Sequence, residues 1–152
     1  MSQVPLPQIK RFDHVGVSVS DLETVTEFFV DLGLEVQGSQ EGMEGEFLET
    51  VCGIRDARTN IVMLSVPGTE VCIELSSFDR PGSGPGMPLA MANELGLRSL
   101  AFEVQDLPLL VSRLQERGYG LIGGIGEYQG VWSMAYIRGP EGLIIALAQR
   151  LV

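Results

Sequence analysis

The sequence predicts an α+β fold built from two tandem β-α-β-β-β modules, and three observations predict it. The stretch Asp13-His14-Val15-Gly16-Val17-Ser18-Val19-Ser20-Asp21-Leu22 recurs as Arg98-Ser99-Leu100-Ala101-Phe102-Glu103-Val104-Gln105-Asp106-Leu107. At one constant offset His14 falls on Ser99, Gly16 on Ala101, Asp21 on Asp106, Gly33 on Gly118 and Gly38 on Gly123. At a shorter offset Glu74 falls on Ala146 and Leu75 on Leu147. A match kept through strand, helix and turn marks two copies of one supersecondary unit.

Residues 1–10 read as a polar, proline-containing arm that frays. The first strand is expected from about Phe12 to Val19. Phe12, His14, Gly16 and Ser18 share one face; Asp13, Val15, Val17 and Val19 share the other. The valine face suits packing on a helix, and the His14 face suits the lining of a cavity. Asp21 is a good N-cap. Leu22, Val25, Phe29 and Leu32 then recur at helical spacing with Phe28 alongside, and Gly33 closes the helix. Leu34 to Val36 reads as a short strand. Residues 38–46, rich in Gly and Glu and without periodicity, read as a mobile loop. A short helix carries Phe47, Leu48 and Val51. Strands follow at Thr59–Val66 and Val71–Ser76, the latter with Cys72, Glu74 and Ser76 on one face.

Residues 78–94 hold the densest Pro and Gly and read as a linker or a lid. The chain is thus expected as one domain, 1–152, with modules at about 11–77 and 97–149. In the second module a strand at 98–104 precedes an Asp106-capped helix with an apolar stripe of Leu107, Leu110, Val111 and Leu114. Pro108 sits in its first turn, where a missing amide costs little. Strands are expected at Tyr119–Ile122, Val131–Arg138 and Leu143–Ala148. Gly123, Gly124 and Gly126 form a loop that does not lead a strand into a helix, which argues against a phosphate loop.

The totals exclude some partners. Of 152 residues, 45% are hydrophobic and 20% charged, ordinary for a globular chain that buries a core. The formal net charge of −10 argues against nucleic acid and anionic membrane surfaces, both of which need clustered Lys and Arg. No segment reads as a signal peptide or a membrane span, so the expected compartment is the cytoplasm, with Cys52 and Cys72 free. Neither cysteine has a histidine near it in sequence.

This order of elements resembles the vicinal oxygen chelate superfamily, which includes glyoxalase I, extradiol dioxygenases and bleomycin-resistance proteins. The resemblance rests on residues 13–22, on Cys72-Ile73-Glu74-Leu75, on residues 97–104, and on the turn and strand from Tyr136 to Leu147, with Gly139 where the family has Asp. It implies mixed sheets as open half-barrels around a cavity, and a homodimer. It also implies a divalent metal (Zn²⁺, Ni²⁺, Co²⁺, Mn²⁺ or Fe²⁺) held by first-strand and last-strand residues of each module. His14 and Glu74 match those ligand positions; Ser99 and Ala146 do not. Only two of the usual four ligands are therefore present, fewer than a catalytic metal needs.

Three readings of the pair stay open. His14 and Glu74 are a remnant or a bonded pair in a metal-free pocket; or they bind metal with help from another residue, such as Asp79, Glu103 or Glu127, or from a substrate; or they act as base and orienting partner. Glu103 shares the Ser99 face and is a further acid–base candidate. Trp132, Met134, Tyr136 and Arg138 share one strand face, which either lines a cavity for a planar apolar ligand or packs on the helices. Tyr128 is positioned to close over a ligand, Arg138 to bind a carboxylate, and Ser99 and Ala146 to line the pocket. The resemblance implies a small-molecule enzyme: an isomerase, epimerase or lyase acting next to a carbonyl. Its alternative is a non-catalytic protein that sequesters a small molecule, as bleomycin-resistance members do.

Overall fold

A computed structural model describes residues 7–152, so residues 1–6 of the expected arm lie outside the described chain. The chain forms two compact units that divide between Gly84 and Pro85. In the first unit β1 (His14–Ser18), α1 (Leu22–Leu32), β2 (Glu35–Glu44), α2 (Glu46–Cys52), β3 (Arg58–Ser65) and β4 (Cys72–Arg80) follow in order. They make a four-stranded sheet, β1-β4-β3-β2, in which only the β1–β4 pair is parallel.

The second unit contains β5 (Ser99–Glu103), α3 (Leu107–Glu116), β6 (Gly126–Tyr128), β7 (Trp132–Arg138) and β8 (Ile144–Arg150). Its sheet, β5-β8-β7-β6, repeats the first, again with one parallel pair. Both are mixed sheets carrying helix on one face, as the internal repeat predicts.

The helices form where caps and apolar stripes coincide. Asp21 accepts from the Thr24 amide at 3.0 Å, and Asp106 accepts from the Leu109 amide at 3.2 Å. Each bond satisfies one of the free amides of a first turn. Gly33 ends α1 at φ 117°, a left-handed conformation that a side chain would oppose. Val25, Phe28 and Phe29 of α1 are buried, as are Leu64, Ile73 and Leu75 from β3 and β4. The two phenyl rings meet edge to face at 5.3 Å. In the second unit Leu107, Val111 and Leu114 of α3 are buried with Ala135, Ile137, Ile145 and Leu147.

Three elements differ from expectation. Residues 38–44 are not a loop but belong to the ten-residue strand β2. It is an edge strand exposed along most of its length, so it shows no alternation. Its ladder slips between Val36 and Gly38 and between Gln40 and Met43, which accommodates the glycines. The Gly42 amide is held by Asn60 Oδ1 at 2.9 Å. The strand expected at Tyr119–Ile122 is reduced to one bridge, Leu121 to Ile137; ladder pairing resumes at Gly126, past Gly123 and Gly124. Likewise, β4 runs on to Arg80, into the stretch read as linker.

Side chains pin that extension. Glu44 Oε2 lies 2.5 Å from Arg80 Nη2 and 3.3 Å from Arg58 Nη1, and Arg58 Nε lies 3.2 Å from Asp79. The bond from Arg80, then that from Arg58, holds the Glu44 carboxyl below its ordinary value of 4.5. A carboxyl whose pKa is lowered by folding stabilises the protein above the unfolded pKa; this contribution disappears as pH falls through the lowered value. Urea midpoints of the wild type are therefore expected to fall between pH 5 and pH 3 more than those of Glu44→Gln. Parallel pH curves would contradict this.

Candidate functional site

Within the first unit the chemistry gathers where β1 lies beside β4. The parallel register sets His14 opposite Cys72 and Gly16 opposite Glu74, so His14, Cys72 and Glu74 share the face away from α1. His14 Nδ1 lies 2.7 Å from Asp13 Oδ2, and Nε2 lies 3.6 Å from Glu74 Oε2. The Ser76 hydroxyl donates to Glu74 Oε1 at 3.4 Å, and Arg11 Nη2 sits 2.8 Å from Asp13. The bond from His14, with the Arg11 charge behind it, holds the Asp13 carboxyl below its ordinary range.

Sequence parity assigned Asp13 to the opposite face. The strand begins at His14, however, so alternation does not govern the residue before it, and the carboxylate reaches the ring. Asp13 is thus a site residue that strand periodicity misses. The same register corrects the reading of Cys72: distant from His14 in sequence, it is its partner across the ladder.

With Nδ1 donating to Asp13, the imidazole is fixed in orientation, and Nε2 faces Glu74 as a base or, once protonated, as an ion-pair partner. The metal centre implied by the resemblance fits these residues poorly. This unit brings two donors together, and the matching positions of the second unit are a hydroxyl, Ser99, and a methyl, Ala146. Of the further ligands considered, Asp79 is bonded to Arg58 and to Asn60 Nδ2 at 3.1 Å. Among the described residues no three His, Cys, Asp or Glu groups are placed to share a metal ion. The donor set does not make a four-ligand centre.

The second unit presents an open, largely apolar face. Register sets Tyr136 opposite Ala146, Met134 opposite Ala148, Trp132 opposite Arg150, and Tyr128 opposite Trp132. Ser99 and Glu103 lie on the same face of β5, two residues to either side of Ala101, the partner of Ala146. The alternate residues Ser133, Ala135 and Ile137 are buried on the α3 side, so the aromatic face is not the one packed on helix. A cleft of about 520 Å³ is lined by Ile122, Gly123, Tyr128, Met134 and Tyr136, with Glu127 at its wall. Tyr128 is 61% exposed and Tyr136 37%. Sequence reasoning did not assign Ile122 to the wall, because it read that residue as the end of a strand.

Two side chains on this face are engaged by neighbours within the unit. Arg138 Nη1 donates to the carbonyls of Ala90 at 2.5 Å and Gly142 at 3.1 Å. The guanidinium thus fastens one backbone segment to another. Trp132 carries the Arg150 guanidinium over its ring at 4.6 Å, so one face of the indole is already covered.

With this geometry in view, comparison with known proteins is informative. A family model described as the glyoxalase/bleomycin resistance protein/dioxygenase superfamily matches residues 13–136. A glyoxalase family protein from Bacillus cereus is 33% identical; the match covers 99% of this chain and 100% of that one, with TM-score 0.92. Two more distant structures share the fold. An antibiotic binding protein from a Streptomyces species is 21% identical over 95% of this chain and 99% of that one, with TM-score 0.63. The trypanothione-dependent glyoxalase I of Leishmania major is 19% identical over 93% and 87%, with TM-score 0.64. No curated protein matches the sequence.

Proposed function

We propose, from the premise that this chain belongs to the glyoxalase/bleomycin resistance protein/dioxygenase superfamily, that it binds a small, planar, largely apolar molecule carrying positive charge. The observation that carries this reading is the cleft beside Tyr128, Met134 and Tyr136, whose side chains stand exposed with no cation in its lining. Aromatic rings left in water beside a cleft of this size favour a flat ligand. Glu127 at the wall and a net charge of −10 favour a cationic one. The fold shared with an antibiotic binding protein is consistent with sequestration as the role.

The single tryptophan, Trp132, sits opposite Tyr128 and reports on this face. Titrating a panel of planar cationic and neutral compounds against its emission is expected to give saturable quenching by the cationic members. A flat response across the panel would remove the proposal.

A second reading has its own support in the Asp13–His14–Glu74 arrangement: an oriented imidazole that removes a proton next to a carbonyl. General-base catalysis of this kind contributes about 10²–10⁴-fold, so His14→Gln should lower any turnover by that factor. Unchanged turnover would exclude His14 as the base.

The proposal includes a homodimer and a cytoplasmic location. Leu89, Leu95 and Leu97 are more than four-fifths exposed, an apolar surface that pairing with a second copy would cover. Both cysteines are free, in keeping with a reducing compartment. No helix among the described residues is long and apolar enough to cross a membrane.

A further inference from the structure

The open face of the second unit carries a cation of its own. Register places Arg150 of β8, Trp132 of β7 and Tyr128 of β6 in one row across the sheet. The next row holds Glu103, Ala148 and Met134, and the row after it Ala101, Ala146 and Tyr136. The middle strand thus offers two alanines and then an arginine to the aromatic side chains beside it. Arg150 Cζ stands 4.6 Å from the centre of the Trp132 ring.

In a chain of net charge −10, this guanidinium has passed over the carboxylates. Arg11, Arg58 and Arg80 pair with acids, and Arg138 bonds to backbone carbonyls. Among the described residues the indole is the one partner of the exposed Arg150 side chain. Its backbone is fixed, since β8 runs to Arg150 and the next amide, that of Leu151, donates to the Val131 carbonyl at 2.7 Å. The side chain can therefore leave the ring without moving the strand. Attraction between a guanidinium and an exposed ring is modest, so the contact is reversible.

We propose that Arg150 is a specificity-determining residue: it occupies the Trp132 ring in the free protein and is displaced when a ligand stacks there. The inference rests on the reading of the second unit as the ligand site. A guanidinium is itself a flat cation, so a small ammonium gains nothing on the indole that Arg150 does not already gain. A fused aromatic system adds stacking area on Trp132 and on Tyr128, its neighbour across the ladder. The arginine thus sets a threshold that extended aromatic ligands pass and small aliphatic amines do not. Glu103, in the next row, offers the displaced guanidinium a carboxylate.

Arg150→Gln in the full chain tests this, with N-methylacridinium and uncharged acridine as probes titrated by calorimetry. Both are expected to bind the variant about two- to fivefold more tightly than the wild type, the factor that one exposed guanidinium–ring contact represents. In the free proteins, acrylamide should quench Trp132 emission more strongly in Arg150→Gln, because the ring is uncovered. A gain confined to the charged probe would mean simple charge repulsion and would overturn the proposal. So would unchanged acrylamide quenching, or wild-type binding with no gain in the variant; that last result would leave the reading of the cleft standing. No binding of either probe to either protein would remove both.

Discussion

Replacing Tyr128 and Tyr136 together by alanine is expected to weaken binding of the best ligand from the Trp132 titration about a hundredfold. In the free protein these side chains are 61% and 37% exposed, so little of their apolar area is yet withdrawn from water. A flat ligand would cover them, and buried aromatic anchors at a binding site are each worth about 2 kcal/mol or more. Even partial loss of two such anchors reaches the roughly 2.7 kcal/mol that a hundredfold represents. Folding stability should hardly move, because neither ring is in the core. Unchanged affinity in a folded double variant would mean that the ligand sits elsewhere.

Gly142→Ala is expected to produce the largest loss of stability of any single methyl added to a glycine of this chain. Gly142 has φ +84°, and a Cβ there would run into the backbone of Pro88, at its carbonyl oxygen and Cα. The backbone cannot step aside cheaply. Arg138 ties Ala90 to Gly142, and the Ala90 amide bonds back to the Met87 carbonyl at 3.1 Å. Left-handed strain costs about 1–2 kcal/mol for a non-glycine residue, and overpacking about 1–3 kcal/mol. The sum predicts a loss of about 2–5 kcal/mol, or a Tm lower by about 4–20 °C for a chain of this size. Gly68→Ala separates the two costs: φ is +77° there, but nothing lies within 4 Å of its Cβ. It should show the strain alone. Equal losses at both positions would mean that the Pro88 contact carries no weight.

The sequence made the repeated architecture legible because its signals are local. Asp21 and Asp106 cap the helices, Gly33 ends the first of them, and the stripes of Val25, Phe29, Val111 and Leu114 fall at helical spacing. Most of β2, beyond Val36, was illegible because an exposed edge strand interrupted by register slips has no alternation to read. Within the candidate site, parity alone put Trp132, Met134 and Tyr136 on one face. Which face that was depended on the burial of Ser133, Ala135 and Ile137, a tertiary fact. The commitment of Arg138 to Ala90, and the pairing of His14 with Cys72, join residues far apart in sequence. Asp13 was hidden for the opposite reason: it adjoins His14 so closely that strand alternation misassigned it.

On the proposed reading this chain takes up its ligand through the apolar cleft of its second unit, without a metal ion. The most direct test is the Trp132 titration repeated on protein stripped with a chelator, beside the untreated protein and His14→Ala. The same saturable quenching and the same affinity are expected in all three. Binding lost on chelation, restored by Zn²⁺, Ni²⁺, Co²⁺, Mn²⁺ or Fe²⁺, and absent in His14→Ala would contradict it and return the function to a metal held by His14 and Glu74.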